Sequence, residues 1–174
     1  SDSYVDGANL YLISSVISFA FSILILPIYT RLLTPEEYGI TIIFVIFGKL
    51  VAGFFHFSLH DATYRYYFDF VKKIETFKKL NSTNFLFIIL AFTLSYFIVL
   101  STSSLFYDKI FDGILTQNLI SLSLISGFLD YIFLYLMTLL TAQVKAKEHS
   151  IMTIFYIVLN SVFSVLFWFS NYLF

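Results

Sequence analysis

Long apolar runs alternate with short polar interruptions along this chain. Five runs stand out: about Ala8–Tyr29, Tyr38–His60 with a polar extension to Tyr67, Asn84–Leu105, Ile114–Ala142 and Ile151–Phe174. They contain windows of about twenty residues with almost no charge, the length an α-helix needs to cross a bilayer core. Backbone groups there find no water, so each run is expected to satisfy its hydrogen bonds internally, as a helix. Barrel strands would be half as long and alternate in polarity, and these runs do neither. The pattern predicts an all-α, polytopic transmembrane bundle with five membrane-spanning helices.

The interruptions carry their own signals. In "RLLTPEEYG", Thr34, Pro35 and Glu37 occupy the N-cap, N1 and N3 positions of a capping box. Glu36 and Glu37 also lie at the positive end of the second helix's dipole. This stretch turns the chain and starts a helix, and Arg31, Glu37 and Arg65 are assigned to loop and interface structure. Arg65, Lys72, Lys73, Lys78 and Lys79 lie between spans two and three, and Lys145 and Lys147 between spans four and five. The opposite side offers only Arg31 and Lys109, the latter flanked by Asp108 and Asp112. The positive-inside rule then places both basic loops and the N-terminus in the cytoplasm. "DFVKKIETFKKL" spaces Phe70, Ile74, Phe77 and Leu80 amphipathically, which suggests a short helix on the cytoplasmic membrane surface; a solvated linker is the competing reading.

Composition sharpens this picture. Of 174 residues, 59% are hydrophobic and 12% charged, against about 25% charged in ordinary soluble domains. The 23 Phe and 13 Tyr add to an apolar surface larger than one soluble core of this length could hide. Net charge is −1, and no basic-aromatic patch points to nucleic acid. Without cysteine there is no disulfide or thiolate chemistry. The chain opens at "SDSYVDG", shows no signal peptide, and stops at "WFSNYLF" inside an apolar run, so it reads as a fragment of something longer.

Polar atoms at mid-depth need a reason. Lys49 lies eleven residues past Tyr38, about 16 Å along a helix and near the middle of a core about 30 Å thick. A central Lys costs about 2.5–3.5 kcal/mol on insertion scales and usually faces a bundle interior or a wet cavity. Gly53, His56 and His60 follow on the same helical face. Span one carries Tyr11, Ser15, Ser18, Ser22 and Tyr29 on one face, with Pro27 bending its outer end. Span four aligns Ser123, Ser126 and Asp130, and span five Thr153, Tyr156, Asn160, Ser164 and Asn171. Four polar stripes imply a shared, water-accessible cavity. Dry helix packing also uses Ser and Thr, and Lys49 and Asp130 could pair with each other.

Enzymatic constellations are thin. His56-x-x-x-His60-Asp61 has metal-ligand spacing, but His149 is the one remaining histidine. Asp108 and Asp112 have no further acids beside them, and no serine sits in a Gly-x-Ser-x-Gly setting. No catalytic residue, metal or cofactor is assigned.

Three stretches carry a resemblance. "LPIYTRLLTPEEYGI" is similar to the first inter-helix segment of bacterial polysaccharide flippases, the O-antigen and capsular exporters of the multidrug/oligosaccharidyl-lipid/polysaccharide superfamily. "LHDATYRYYFDF" resembles the end of their second helix, and "TAQVKAKEHSIMTIFYIV" the turn between their fourth and fifth. The matches fall in order over nearly the whole chain. The resemblance implies that residues 1–174 are most of the N-terminal lobe of a two-lobed protein in the cytoplasmic membrane, lacking a sixth helix and the second lobe. Its implied cargo is an oligosaccharide on a polyprenyl diphosphate, carried across the lipid bilayer by alternating access. The implied partners are that second lobe and the polysaccharide polymerase or glycosyltransferases.

Residues and resemblance together give these expectations. Lys49 contacts the diphosphate with His56 and His60, while Tyr11, Ser15, Ser18, Asn160 and Ser164 hydrogen-bond sugars. Asp130 is the candidate for proton or sodium coupling. The alternatives are a drug or small-cation exporter of the same fold, a membrane-embedded enzyme of glycan assembly, and a helical scaffold without transport.

Overall fold

A computed structural model describes the backbone of residues 2–102 and 116–172, and the side chains of 7–102 and 116–161. Among the described residues the chain is helical throughout, without strands. The helices are α1 (Asp2–Leu32), α2 (Pro35–Phe55), α3 (Leu59–Phe70), α4 (Ile74–Ser101), α5 (Gln117–Ala142) and α6 (Ala146–Tyr172). Four stretches are long and apolar enough to cross a membrane: Gly7–Leu32, Pro35–Phe55, Ile74–Ser101 and Gln117–Ala142. Residues 103–105 of the third span, 114–115 of the fourth, and the acidic loop with Asp108, Lys109 and Asp112 lie outside the described residues, as do the side chains of Ser164 and Asn171.

The chain divides into two compact units. In the first (1–38 and 143–174), α1 packs against α6. A Cβ added at Gly7 would lie 3.6 Å from Ala146 Cβ, an ordinary contact distance, which places the two helices side by side there. Ser150 Oγ donates to Leu10 O at 3.0 Å and lies 3.3 Å from Ser14 Oγ. The capping box forms as its residues dictate: Thr34 N–H donates to Glu37 Oε2 at 2.8 Å, and Glu37 N–H to Thr34 Oγ1 at 3.3 Å. Two orphan donors at the start of α2 are thereby satisfied.

In the second unit (39–142), α2, α3 and α4 pack on α5. Its two apolar clusters are Val51, Val99, Ile120 and Leu124, and Ala52, Ile88, Tyr131 and Tyr135. Contacts advance in step along α2–α3 and α5, from Phe44 on Ser123, through His56 on Tyr131, to Thr63 on Tyr135, so these segments run parallel. Along α4 they run in reverse, from Asn81 on Tyr135 to Phe92 on Phe128 and Tyr96 on Ser121. α4 is therefore antiparallel to α5.

Two expected elements differ. The second span does not continue as one helix to Tyr67: α2 stops at Phe55, Phe57 and Ser58 take left-handed φ values of 48° and 50°, and α3 restarts at Leu59. Such values cost non-glycine residues about 1–3 kcal/mol each unless the surroundings hold them. Here the imidazole of His56 stacks on Tyr131 at 4.2 Å, and Tyr131 OH donates to His56 O at 3.4 Å. Ser58 O accepts from Asp61 and Ala62 N–H, closing the first turn of α3. "DFVKKIETFKKL" is not one surface helix either. It divides at residues 71–73 between the end of α3 and the start of α4, because Phe77 is buried with its ring edge-on to Tyr67.

Candidate functional site

α2 and α5 approach each other very closely. A Cβ on Gly48 would run into the backbone carbonyl of Ser123, and one on Gly127 into the backbone of Gly48. Glycine alone allows this crossing, as small residues do at close membrane-helix contacts. Ser123 Oγ adds a hydrogen bond to Phe44 O.

The crossing positions the two charges. Lys49 follows Gly48 by one residue, and Asp130 follows Gly127 by three, just under one turn of helix. Lys49 Nζ lies 3.7 Å from Asp130 Oδ2, with side-chain exposures of 60% and 26%. Lys49 is fourteen residues into α2 and Asp130 thirteen into α5, about 20 Å along each. Both charges thus stand well inside apolar helices, at matching levels and on an open face of the unit.

The histidines occupy a different environment. Gly48 and Ala52 of α2, with His56 just beyond its end, form one buried line, while Lys49 and Gly53 lie exposed beside it. His56 is fully buried, stacked on Tyr131 and 6.0 Å from the Phe128 ring, with Nδ1 against Ala52 O. Its Nε2 is buried with no hydrogen-bond partner. His60 meets the edge of Tyr131 at 5.7 Å, and its Nε2 lies 3.5 Å from Asp61 Oδ1. The expected Lys49–His56–His60 stripe therefore splits into an exposed ion pair and an aromatic-packed histidine pair. The bend at Phe57–Ser58 is what turns the second histidine away. Among the described residues, no group of three or more His, Asp or Glu is placed to hold a metal.

Sequence reading missed a polar network at the far end of the same interface. Tyr135 OH donates to Asn81 Oδ1 at 2.6 Å and lies 3.4 Å from Thr63 Oγ1. Asn84 Nδ2 donates to Thr63 Oγ1 at 2.9 Å. Three helices are joined there by side chains alone. Asn81 and Asn84, one turn apart ahead of an apolar run, were the available signal.

In the first unit, Ser15 Oγ donates to Tyr11 O at 2.9 Å and Ser18 Oγ to Ser14 O at 2.7 Å. These hydroxyl protons are spent on their own helix. Ser15 and Asn160 are exposed and Ser18 is half-buried; the fully buried serine is the neighbouring Ser14. The Tyr11 ring meets His149 edge-on at 4.9 Å. Arg31 and Arg65 are exposed.

His149 lies just outside the apolar part of α6. Burial holds its imidazole below the ordinary histidine value, and its buried Nδ1 has no hydrogen-bond partner. A depressed value means that the stabilisation is fully present above the unfolded pKa, about 6.5, and is lost as pH falls through the lower folded value. The α1–α6 contact is therefore expected to loosen on acidification. The distance between spin labels at the exposed positions Leu12 and Ile151 should lengthen or broaden with falling pH, and His149→Phe should flatten that change. An unchanged profile in the variant would assign the acid sensitivity elsewhere.

No protein-family model, curated protein or solved structure matches this chain.

Proposed function

We propose that the chain is part of a carrier that moves a lipid-linked oligosaccharide, held on a polyprenyl diphosphate, from the inner to the outer leaflet of the cytoplasmic membrane. One observation carries this reading: the Lys49–Asp130 pair stands open, well inside two apolar helices. Charges at that depth are costly against lipid, so an open pair there calls for a hydrated cleft or a polar ligand. A diphosphate crossing hydrocarbon needs such a cation, and attraction between charges strengthens as the dielectric falls. The ordered resemblance of three segments to polysaccharide flippases supports the same reading.

In this proposal α6 is the fifth span, residues 1–174 form most of one lobe, and a second lobe completes an alternating-access cycle. The basic loops and the N-terminus face the cytoplasm. Lys49 contacts the diphosphate, and polymerase or glycosyltransferases act on the cargo before or after transfer. His56 is assigned to support rather than direct contact, because its ring is packed under Tyr131 and Phe128. A small-cation exporter is less well served, since the acid at this depth already has Lys49 beside it.

In cells producing the protein at its natural length, Lys49→Ala is expected to abolish surface polysaccharide while protein abundance stays normal. Lys49→Arg should retain part of it. Unchanged polysaccharide in Lys49→Ala would remove this residue from the mechanism.

A further inference from the structure

We propose that α3 and the opening turns of α4 form an interfacial binding surface for anionic phospholipid headgroups, with Arg65, Lys72, Lys73 and Lys79 as its cations. The inference goes beyond the carrier reading above and involves neither Lys49 nor Asp130. Three observations carry it.

The first is level. Thr63 and Tyr67, one turn apart, form the inner edge of α3: Thr63 Oγ1 accepts from Asn84 Nδ2 at 2.9 Å, and the Tyr67 ring meets that of Phe77 edge-on at 5.2 Å. α3 therefore stands beside the stretch of α4 that precedes its exposed apolar residues, which begin with Phe85, Leu86 and Phe87. α4 has 28 residues, about 42 Å of helix, so its polar end overhangs a hydrocarbon core about 30 Å thick. Lys79 precedes Phe85 by six residues, about 9 Å. That brings its long side chain to the headgroup layer, about 5–8 Å thick on each side of the core.

The second is what α3 turns outward. Tyr64, Tyr66 and Phe68 are 39%, 44% and 53% exposed, interleaved with exposed Arg65 and Asp69. Tyr64 pairs with Phe68 at 5.4 Å and Tyr66 with Phe70 at 6.3 Å, as rings one turn apart do. Water does not favour so many bare rings, and hydrocarbon does not favour phenols beside charged groups. The headgroup boundary suits both, and tyrosines collect there for that reason.

The third is charge. Arg65, Lys72, Lys73 and Lys79 are all exposed. Among the described residues the ion pairs are Lys49–Asp130, His60–Asp61 and Lys78–Glu75, so none of the four is held by a carboxylate. Residues 61–79 hold five cations (these four and Lys78) against three acids, Asp61, Asp69 and Glu75, and Glu75 is already taken by Lys78 at 2.9 Å. A surface with surplus positive charge and an aromatic rim, at headgroup level, complements a phosphodiester that carries net negative charge. Each Lys or Arg near an anionic membrane surface strengthens association by about fivefold. A zwitterionic headgroup gains no such net attraction.

The test measures lipid association with the full chain, reconstituted in dioleoylphosphatidylcholine vesicles carrying trace spin-labelled phosphatidylglycerol or phosphatidylcholine. Motional restriction of the label reports which lipid the protein holds. The wild-type protein is expected to prefer phosphatidylglycerol about threefold or more. Lys72→Gln/Lys73→Gln/Lys79→Gln should bring the ratio close to one. Lys145→Gln/Lys147→Gln should keep most of the preference, because residues 143–150 include no Phe or Tyr. Salt at about 1 M, which shortens the Debye length to about 3 Å, should shrink the wild-type ratio without any substitution.

Equal association of both lipids with the wild-type protein would leave this face to a protein partner and overturn the proposal. A preference that survives the triple variant would place the lipid site elsewhere. An equal loss in Lys145→Gln/Lys147→Gln would make the preference a matter of overall charge rather than of this surface. Competition by inorganic phosphate at constant ionic strength would assign the cations to a soluble anion and overturn the lipid assignment.

Discussion

Gly48→Leu is expected to leave little folded protein in the membrane. Even a methyl group on Gly48 would meet the backbone of Ser123, and backbone cannot swing aside as a flexible side chain can. Overpacking ordinarily costs about 1–3 kcal/mol where neighbours adjust, and here the adjustment is a separation of α2 from α5. That separation would open the cluster of Val51, Val99, Ile120 and Leu124, detach Ser123 from Phe44 O, and pull Lys49 from Asp130. Gly127→Leu should have the same effect from the other side. Gly53 is the internal control: nothing lies within 4 Å of a Cβ placed there, so Gly53→Ala should be neutral or slightly stabilising through helix propensity. Size-exclusion profiles and thermal melts of detergent-purified variants provide the measurement. Equal stability of Gly48→Leu and Gly53→Ala would mean that the two helices do not cross at this point.

Tyr135→Ala should produce the second large loss, about 3–5 kcal/mol, as for removal of a large buried ring. Tyr135 is only 1% exposed, and it links α5 to Asn81 of α4 and approaches Thr63 of α3. Tyr135→Phe separates packing from hydrogen bonding. The ring remains, Asn81 Oδ1 loses its donor, and the expected cost falls to about 1–3 kcal/mol. Asn84→Ala, which strips the donor to Thr63 Oγ1, should weaken the same junction, and its effect should not add fully to that of Tyr135→Phe because both act on one network. Chemical or thermal unfolding of the full chain measures all three. A Tyr135→Phe variant as stable as the wild type would leave the hydroxyl without a structural role.

Much of this arrangement was legible from residues alone because membrane insertion is governed by local composition. The apolar runs report helices directly, and Thr34–Glu37 is a self-contained cap whose partners lie three residues apart. Lys49 and Asp130 were visible as exceptions within apolar runs. Their pairing was open to either reading, because it depends on which helices cross and where. The bend at Phe57–Ser58 left no local trace: "HFSL" contains neither Gly nor Pro, and the left-handed residues are stabilised by Tyr131, which lies far along the chain. The division of "DFVKKIETFKKL" escaped for a related reason. Its apolar spacing suits a helix face, yet Phe77 finds its place against Tyr67 in α3 rather than in lipid headgroups. Among the serines, helical periodicity selected Ser15 and Ser18, whereas the packed position is Ser14 opposite Ser150. Neighbouring serines cannot be ranked until the opposing helix is known.

The parallel course of α2 and α5 has a consequence for how the chain is made. Parallel helices cannot be joined by a tight turn, so an entire antiparallel helix, α4, must be threaded between them. Lys49 leaves the ribosome 81 residues before Asp130. At ordinary translation speeds that interval is about 4–16 s. Throughout it the ammonium stands in an apolar segment whose counter-charge has not yet been synthesised, so the pair forms only after α5 has followed α2.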